Sequence, residues 1–149
     1  MDADKNKLVL FHLEAAEPSL IEKWCSEGKL PTIEEIRQGG VYGRLDPPGY
    51  IDSGCVWPTF STGTNPGKHG MGFYPRQIQN GTYHIIKKYA EDMAGKHFWN
   101  LLSDDGKNLL VLDMPLTYPT DDFKGSIVCN WGDEHASHPA SSKPAQLIE

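Results

Sequence analysis

The amino-acid sequence predicts an α/β fold with a mainly parallel sheet and helices on both of its faces. Residues 8–13 and 109–112 are short apolar runs without alternation, which is typical of strands buried on both sides. Residues 127–131 form a third such run, and stretches with helical periodicity lie between the runs. This order of strand, helix, strand, helix, strand favours the crossover connections of a parallel sheet.

Two short helices are predicted between the first apolar run and residue 40. Pro18 begins the first helix, and Gly28 ends it after apolar residues at near-helical spacing. The second helix begins at a capping-box pattern formed by Thr32 and Glu35, and the glycine pair that starts at Gly39 ends it. Each helix is therefore bounded by residues that begin or stop helices.

The rest of the chain is divided by turns rich in glycine and proline. Residues 41–45 are expected to form a strand, a helix is expected to begin at residue 53, and residues 97–103 are expected to form another helix. Residues 73–93 have weak periodicity, so we expect an excursion outside the core there. The last eighteen residues are polar with two prolines, and this pattern predicts a loop.

Composition is that of one soluble globular domain. The chain has 149 residues, of which 38% are hydrophobic and 23% charged, so it is long enough for a core and too apolar for disorder. A net charge of −6 argues against a nucleic-acid partner, because phosphate backbones are held by clustered Lys and Arg. It does not exclude an anionic small substrate, since a bound metal ion reverses the local field.

Neither a targeting segment nor a disulfide framework is predicted. The apolar run after the charged N-terminus covers six residues, too few for a secretory signal or for the ~20 residues of a membrane span. Cys25, Cys55 and Cys129 are far apart and odd in number, so we expect reduced and mostly packed thiols. We therefore expect a cytoplasmic protein without a membrane partner.

The strongest motif runs from Ser53 to Gly70 and reads SGCVWPTFSTGTNPGKHG. Thr62 and Gly63 form a Thr-Gly pair, and Ser53 stands nine residues before Thr62. This stretch resembles the nucleophile segment of the alkaline phosphatase superfamily, especially the branch of type I phosphodiesterases and nucleotide pyrophosphatases. That branch has the same spacing and a turn similar to Asn-Pro-Gly-Lys-His-Gly. The resemblance therefore implies that Ser53 is the nucleophile and that the fold is alkaline-phosphatase-like.

The position of Ser53 also suits a nucleophile on physical grounds. A serine hydroxyl is a weak nucleophile at neutral pH and must be activated by a base or a metal ion. A helix N-terminus offers unpaired backbone N–H groups and a positive dipole, which favour an alkoxide and a bound phosphate. The N–H groups that follow, at Gly54 and Cys55, are expected to bind phosphoryl oxygens, and Pro58 falls within the first turns, where a missing N–H is tolerated. For the serine taken alone, a simple helix cap is the stronger alternative.

The resemblance extends to the first apolar run, where Glu14 falls on the position of a metal-binding Asp. Its carboxylate is an oxygen ligand for zinc or another divalent ion, so Glu14 is a predicted metal ligand together with Ser53. The family has Gly at the position of Ala15, and Ala lacks the backbone freedom of Gly. On local sequence alone, an exposed carboxylate that caps the following helix is an equal alternative.

Residues 97–119 and 127–135 resemble later scaffold and pocket segments of the same family. Tyr118 is a predicted substrate-binding residue, with simple packing as the alternative. His69 is expected to hold the Asn-Pro-Gly-Lys-His-Gly turn, and His12 to be a hydrogen-bonded core residue. Acidic and histidine residues at 133–138 suggest a metal site, but a solvated loop is favoured because no helix or cysteine orients them.

The resemblance implies hydrolysis of a phosphodiester or nucleotide pyrophosphate bond of a small molecule through a phosphoserine intermediate. It also implies two divalent metal ions, commonly zinc. Two alternatives stay open: sulfatase, phosphomonoesterase or phosphoryl-transfer chemistry of the same superfamily, and a non-catalytic scaffold domain. No Asp-His-Gly motif follows Gly70, so we expect residues 1–149 to be the N-terminal portion of a catalytic domain, inactive alone, whose other ligands lie downstream.

Overall fold

The protein has a mixed α/β fold. The computed structural model describes residues 7–46, 53–72, 76–132 and 139–148. The chain divides into two compact units, Met1–Leu45 and Asp46–Glu149, and the described strands all lie in the second. Within the described ranges, no helix has the length and apolar character that crossing a membrane requires.

The N-terminal unit contains two short helices in contact with each other, α1 (Pro18–Ser26) and α2 (Pro31–Gly39). Glu17 caps α1, because its carboxylate accepts a hydrogen bond from the Ser19 N–H at 3.2 Å. The predicted α1 is confirmed, whereas the capping box predicted for α2 is wrong. This helix begins earlier, at a proline whose missing N–H suits the first helical position, and it has no side-chain cap.

The strands predicted at residues 8–13 and 41–45 are not formed. Both segments lack regular secondary structure and are exposed; Leu8 and Phe11, for example, are 87% and 85% exposed. A strand persists only when a neighbour satisfies its backbone hydrogen bonds, and no described strand pairs with either segment. His12 is exposed with its segment, so the prediction of a core histidine is wrong.

The described residues of the C-terminal unit form three helices, two 3-10 turns and five strands. Its helices are α3 (Ser53–Thr62), α4 (Pro66–His69) and α5 (Phe98–Asp104), with 3-10 turns at Ala90–Asp92 and Ala145–Ile148. Its strands are β1 (Arg76–Ile78), β2 (Ile85–Lys87), β3 (Leu109–Leu112), β4 (Gly125–Cys129) and β5 (Ser141–Lys143). The predicted α3, α5, β3 and β4 are confirmed, with ends that shift by at most about two residues.

The strands of this unit form two separate sheets. β1 and β2 make an antiparallel pair in the region expected to be an excursion. β3, β4 and β5 form the main sheet in that order, with β3–β4 parallel and β4–β5 antiparallel. The loop predicted for the last eighteen residues is wrong at β5, because pairing with β4 orders a polar segment that local sequence does not mark as a strand. A mainly parallel sheet is not confirmed.

The core of this unit lies on one face of the main sheet. That face buries side chains from β3, β4, α5 and the loop of residues 113–124, here called the β3–β4 loop: Trp99, Val111, Phe123, Ile127 and Cys129. On the opposite face of β3, Leu110 and Leu112 are 67% and 60% exposed. The prediction of helices on both faces of the sheet is therefore not confirmed for the described residues.

Gly125 allows the close approach of β3 and β4. Its φ is +121°, a backbone conformation that residues with side chains rarely adopt. A Cβ at this position would lie 2.0 Å from the carbonyl oxygen of Leu109, its pairing partner on β3. The parallel pairing therefore requires glycine here.

We expect Gly125→Ala to destabilise the protein by about 3 kcal/mol or more, because the added methyl group must displace the β3 backbone and strain its own. Urea unfolding followed by circular dichroism measures the effect. Gly72→Ala is the matched control, since a Cβ at Gly72 meets nothing within 4 Å. A change below about 0.5 kcal/mol in Gly125→Ala would contradict the packing described at this position.

Candidate functional site

The predicted nucleophile stands where the sequence places it, as the first residue of α3. The helix begins at Ser53, and the two residues that follow, Gly54 and Cys55, are buried. The Cys55 side chain has no exposed surface, so its thiol packs in the interior. Any contact that this residue makes with a phosphoryl group must therefore come from its backbone N–H, which belongs to the first turn and lacks an intrahelical acceptor.

α3 is an unusual helix because Pro58 lies inside it. The proline removes the N–H that would bond the Gly54 carbonyl, so the helix is weakened one turn after its start. The Pro58 carbonyl accepts a 2.6 Å hydrogen bond from Thr62 Oγ1. Surrounding contacts must therefore hold α3, because its own hydrogen-bond ladder is incomplete.

The first of these contacts is made by His69, at the end of α4. Its Nε2 lies 3.0 Å from Thr59 Oγ1 on α3, and its Nδ1 accepts a 3.1 Å hydrogen bond from the Met71 N–H. A neutral imidazole with Nδ1 as acceptor carries its proton on Nε2, so Nε2 donates to Thr59. The ring is fully buried, and burial lowers the pKa of His69. The prediction that His69 holds this turn is confirmed.

The second contact is made by His97, the residue before α5. Its Nδ1 lies 2.9 Å from Ser61 Oγ on α3, and its ring stacks on Trp99 with centroids 4.4 Å apart and an interplanar angle of 15°. The ring also interacts with the backbone carbonyl of Leu116 in the β3–β4 loop. Burial lowers the pKa of His97 to about 4, and the Leu116 carbonyl opposes that shift. At neutral pH this histidine is therefore uncharged.

Asp113 fixes the start of the β3–β4 loop. It follows β3 with φ +52°, and its two carboxylate oxygens each accept a 2.8 Å hydrogen bond, from the N–H groups of Trp131 and Gly132. These two hydrogen bonds hold the residue after β3 next to the residues that follow β4. Burial, with the negative charge of Asp113, raises the pKa of Cys129 to about 12, so this thiol stays protonated.

The other predicted site residues occupy exposed positions. Tyr118 lies in the β3–β4 loop and is 39% exposed, so its ring is reachable from solvent. Glu14 is an exposed turn residue of the N-terminal unit, and among described residues it makes no hydrogen bond or ion pair. Glu17 rather than Glu14 caps α1, so the capping alternative for Glu14 is wrong. Ala15 has φ +50°, the left-handed conformation that glycine adopts freely and alanine adopts at a cost of about 1 kcal/mol.

No metal site is complete among the described residues. Within residues 7–46, 53–72, 76–132 and 139–148, no three His, Cys, Asp or Glu side chains are placed to hold one ion. The acidic and histidine cluster at residues 133–138 lies outside the described part of the chain. Glu14 fits as one oxygen ligand, and the described residues do not supply the rest of a ligand set.

The family is settled by comparison with known proteins. Residues 8–139 match the family model described as type I phosphodiesterase / nucleotide pyrophosphatase. The chain belongs to this family. A search of curated proteins and a search of solved structures each found no match.

Membership of the phosphodiesterase family agrees with the resemblance drawn from the motif at residues 53–70 and with the alkaline phosphatase superfamily branch. It indicates phosphodiesterase or nucleotide pyrophosphatase activity on small-molecule substrates. The roles of Ser53, Glu14, Gly54, Cys55 and Tyr118 stay predictions.

Sequence reasoning missed residues that hold the phosphodiesterase motif and the start of the β3–β4 loop in place. Ser61, His97 and Asp113 act through contacts between segments far apart in the chain, such as the 36-residue separation of the first two. These residues do not recur at a regular spacing in the sequence, so periodicity does not identify them. The one usable signal was the polar residue directly after a buried strand, at Asp113, because polar groups at the carboxyl ends of strands are often functional.

We expect acid to destabilise the protein through His97. Its pKa is lowered from 6.5 to about 4 in the folded state, so between these values the unfolded chain binds more protons. The contribution of His97 to the free energy of unfolding is fully present above pH 6.5 and decreases by roughly 3 kcal/mol as the pH falls towards 4. Urea unfolding at a series of pH values measures the slope.

His97→Phe should remove this part of the pH dependence, whereas the control His84→Phe, at an exposed histidine, should leave it in place. The advantage of wild type over His97→Phe should therefore shrink as the pH falls from about 6.5 to about 4. Parallel curves for wild type and His97→Phe would show that His97 is not kept neutral by the fold.

Proposed function

We propose that this chain carries the nucleophile of a metal-dependent phosphoesterase that hydrolyses a phosphodiester or nucleotide pyrophosphate bond. The observation that supports this most is the family match over residues 8–139, together with the position of Ser53 as the first residue of α3. The start of a helix is where backbone N–H groups and the helix dipole favour an anionic phosphoryl group.

In this proposal the Ser53 hydroxyl is the attacking group. Its oxygen forms a bond to phosphorus while the bond from phosphorus to the leaving oxygen breaks, and the hydroxyl proton is lost. The leaving oxygen takes up a proton. Water then displaces the serine oxygen, which recovers its proton. For a monoester the intermediate is phosphoserine, and for a diester the serine-bound phosphoryl group keeps one ester substituent.

The N–H groups at the start of α3 are proposed to stabilise the charge that builds on the phosphoryl oxygens. Gly54 and Cys55 are buried, so these groups belong to an interior, low-dielectric wall where such hydrogen bonds are strong. Tyr118 is proposed to contact the substituent of the substrate, because its ring is part-exposed on the β3–β4 loop. The same arrangement would also suit a sulfate ester or a phosphate monoester. The choice of a phosphodiester or pyrophosphate substrate therefore rests on the family match.

We propose that two divalent metal ions, such as zinc, complete the site, with the carboxylate of Glu14 as one ligand. When bound, a divalent ion supplies positive charge that favours the ionised serine and offsets charge on the phosphoryl group. The exposed Glu14 carboxylate is open to such an ion. Because no three His, Cys, Asp or Glu side chains of the described residues are placed to hold one ion, we propose that further ligands come from other segments of the protein.

We expect Ser53→Ala to abolish turnover, by about 10³-fold or more, because the covalent step loses its nucleophile. The protein expressed from the complete gene is assayed with bis-p-nitrophenyl phosphate, and mass spectrometry of acid-quenched enzyme locates the phosphoryl group on the peptide that contains Ser53. Ser26→Ala is the control, since Ser26 is exposed and bonds only to the Lys23 carbonyl of its own helix. Undiminished turnover in Ser53→Ala would sink the nucleophile assignment.

We expect Glu14→Gln to weaken zinc binding by at least about tenfold, because the amide loses the ligand charge. Isothermal titration calorimetry after removal of metal by chelation measures the affinity without any assay of turnover. Glu35→Gln is the matched control, an exposed glutamate of the same unit. Equal affinities of Glu14→Gln and wild type would remove Glu14 from the metal site, and a gene product without zinc binding or turnover would favour a non-catalytic scaffold.

A further inference from the structure

We propose that His97 is a positioning residue, which sets the placement of the β3–β4 loop relative to the nucleophile helix through its contacts with Ser61 and Leu116. This inference rests on the proposed function, because it assigns Ser53 to the reaction and Tyr118 to the substrate. It adds a residue that touches neither the substrate nor the reacting atoms. All of the residues involved lie in the C-terminal unit.

On one side, His97 holds the helix that begins at the nucleophile. Ser61 is 2% exposed and lies 2.9 Å from His97 Nδ1. Ser53 and Ser61 lie on the same helix, roughly 12 Å apart along its axis, so a shift of Ser61 alters the position of Ser53. Since Pro58 interrupts the hydrogen bonds of α3 between these two serines, external contacts matter more here than in an unbroken helix.

On the other side, His97 holds the loop that carries the substrate residue. The Leu116 carbonyl interacts with the imidazole, and Leu116 is 5% exposed with φ +54°. A non-glycine residue in this conformation is strained and persists only where surrounding contacts impose it. Tyr118 follows two residues later, so the backbone direction imposed at Leu116 is passed on to its ring.

The imidazole is itself fixed by the core. It stacks on Trp99, which belongs to the core cluster of the main sheet, and it is 8% exposed. Leu116 packs in a second apolar cluster with Met71 and Ala90. The N–H of Met71 in this cluster donates a hydrogen bond to the His69 ring. His97 therefore contacts three parts of the unit: the core at Trp99, the nucleophile helix at Ser61 and the β3–β4 loop at Leu116.

A connection of this kind affects rate more than stability. Small errors in the placement of a nucleophile relative to a bound substrate lower rates strongly, and about 1 Å is enough for a 10²-fold loss. The loss of a buried hydrogen bond lowers stability only when it leaves a polar atom unpaired. The two effects separate when both partners of the bond are replaced by apolar groups.

The test uses His97→Phe, Ser61→Ala and the double variant, in the protein expressed from the complete gene. Phenylalanine keeps a ring for stacking on Trp99 and removes the hydrogen bonds. Each single variant should lower kcat/KM for bis-p-nitrophenyl phosphate about tenfold or more, and the double variant should stay as low as the worse single variant. Its urea midpoint should nevertheless lie above that of His97→Phe alone, because the Ser61 hydroxyl is no longer left without its histidine partner and only the Leu116 carbonyl is.

Ser103→Ala is the matched control, a buried serine on α5 whose Oγ accepts a 2.7 Å hydrogen bond from the Lys124 N–H, at the end of the β3–β4 loop away from Tyr118. It should lose stability and keep its kcat/KM. Hydrogen exchange gives a readout apart from activity: the amides of Thr117 and Tyr118 should exchange about fivefold faster or more in the His97 and Ser61 variants, and not in Ser103→Ala.

Recovery of kcat/KM together with stability in the double variant would overturn the proposal and leave His97 as a structural residue. Unchanged exchange at Thr117 and Tyr118 would overturn it as well, whatever the rates. Failure of the proposed function is a separate outcome, because it appears as turnover that survives Ser53→Ala. The exchange rates of the His97 and Ser61 variants do not depend on that result.

Discussion

The parallel pairing of β3 with β4 is the constraint on which the rest of the C-terminal unit depends. It exists because Gly125 lets the two backbones approach, and it creates the apolar face that buries Trp99. Trp99 in turn provides the surface on which the His97 ring stacks. The carboxylate of Asp113 closes the far end of the same pair, so the β3–β4 loop leaves the sheet in a fixed direction.

From this base, two buried histidines hold the nucleophile helix. His69 bonds Thr59 and His97 bonds Ser61, so the second half of α3 is attached at two points two residues apart. Both histidines are uncharged at neutral pH, because burial lowers the pKa of each. The attachment is therefore made by neutral hydrogen bonds in the interior, which are insensitive to salt and are lost only in acid.

The N-terminal unit contrasts with this arrangement. Its helices contact each other, and Tyr42 donates a 2.7 Å hydrogen bond to Glu22 on α1, yet its two apolar segments at residues 8–13 and 41–45 remain exposed. The exposed side chains of Leu110 and Leu112 on the main sheet show the same excess of apolar surface. A sequence pattern typical of buried strands thus marks segments that the described residues do not bury.

The sequence by itself determined the family, the position of Ser53 and the helices and strands whose signals are local. α1, α3, α5, β3 and β4 follow from proline and glycine boundaries and from apolar periodicity, which act over a few residues. Only the tertiary structure decided which apolar runs become strands, because a strand needs a partner that no local pattern names. It also decided the roles of His97, Ser61 and Asp113, since each depends on a residue that is distant in the chain and adjacent in space.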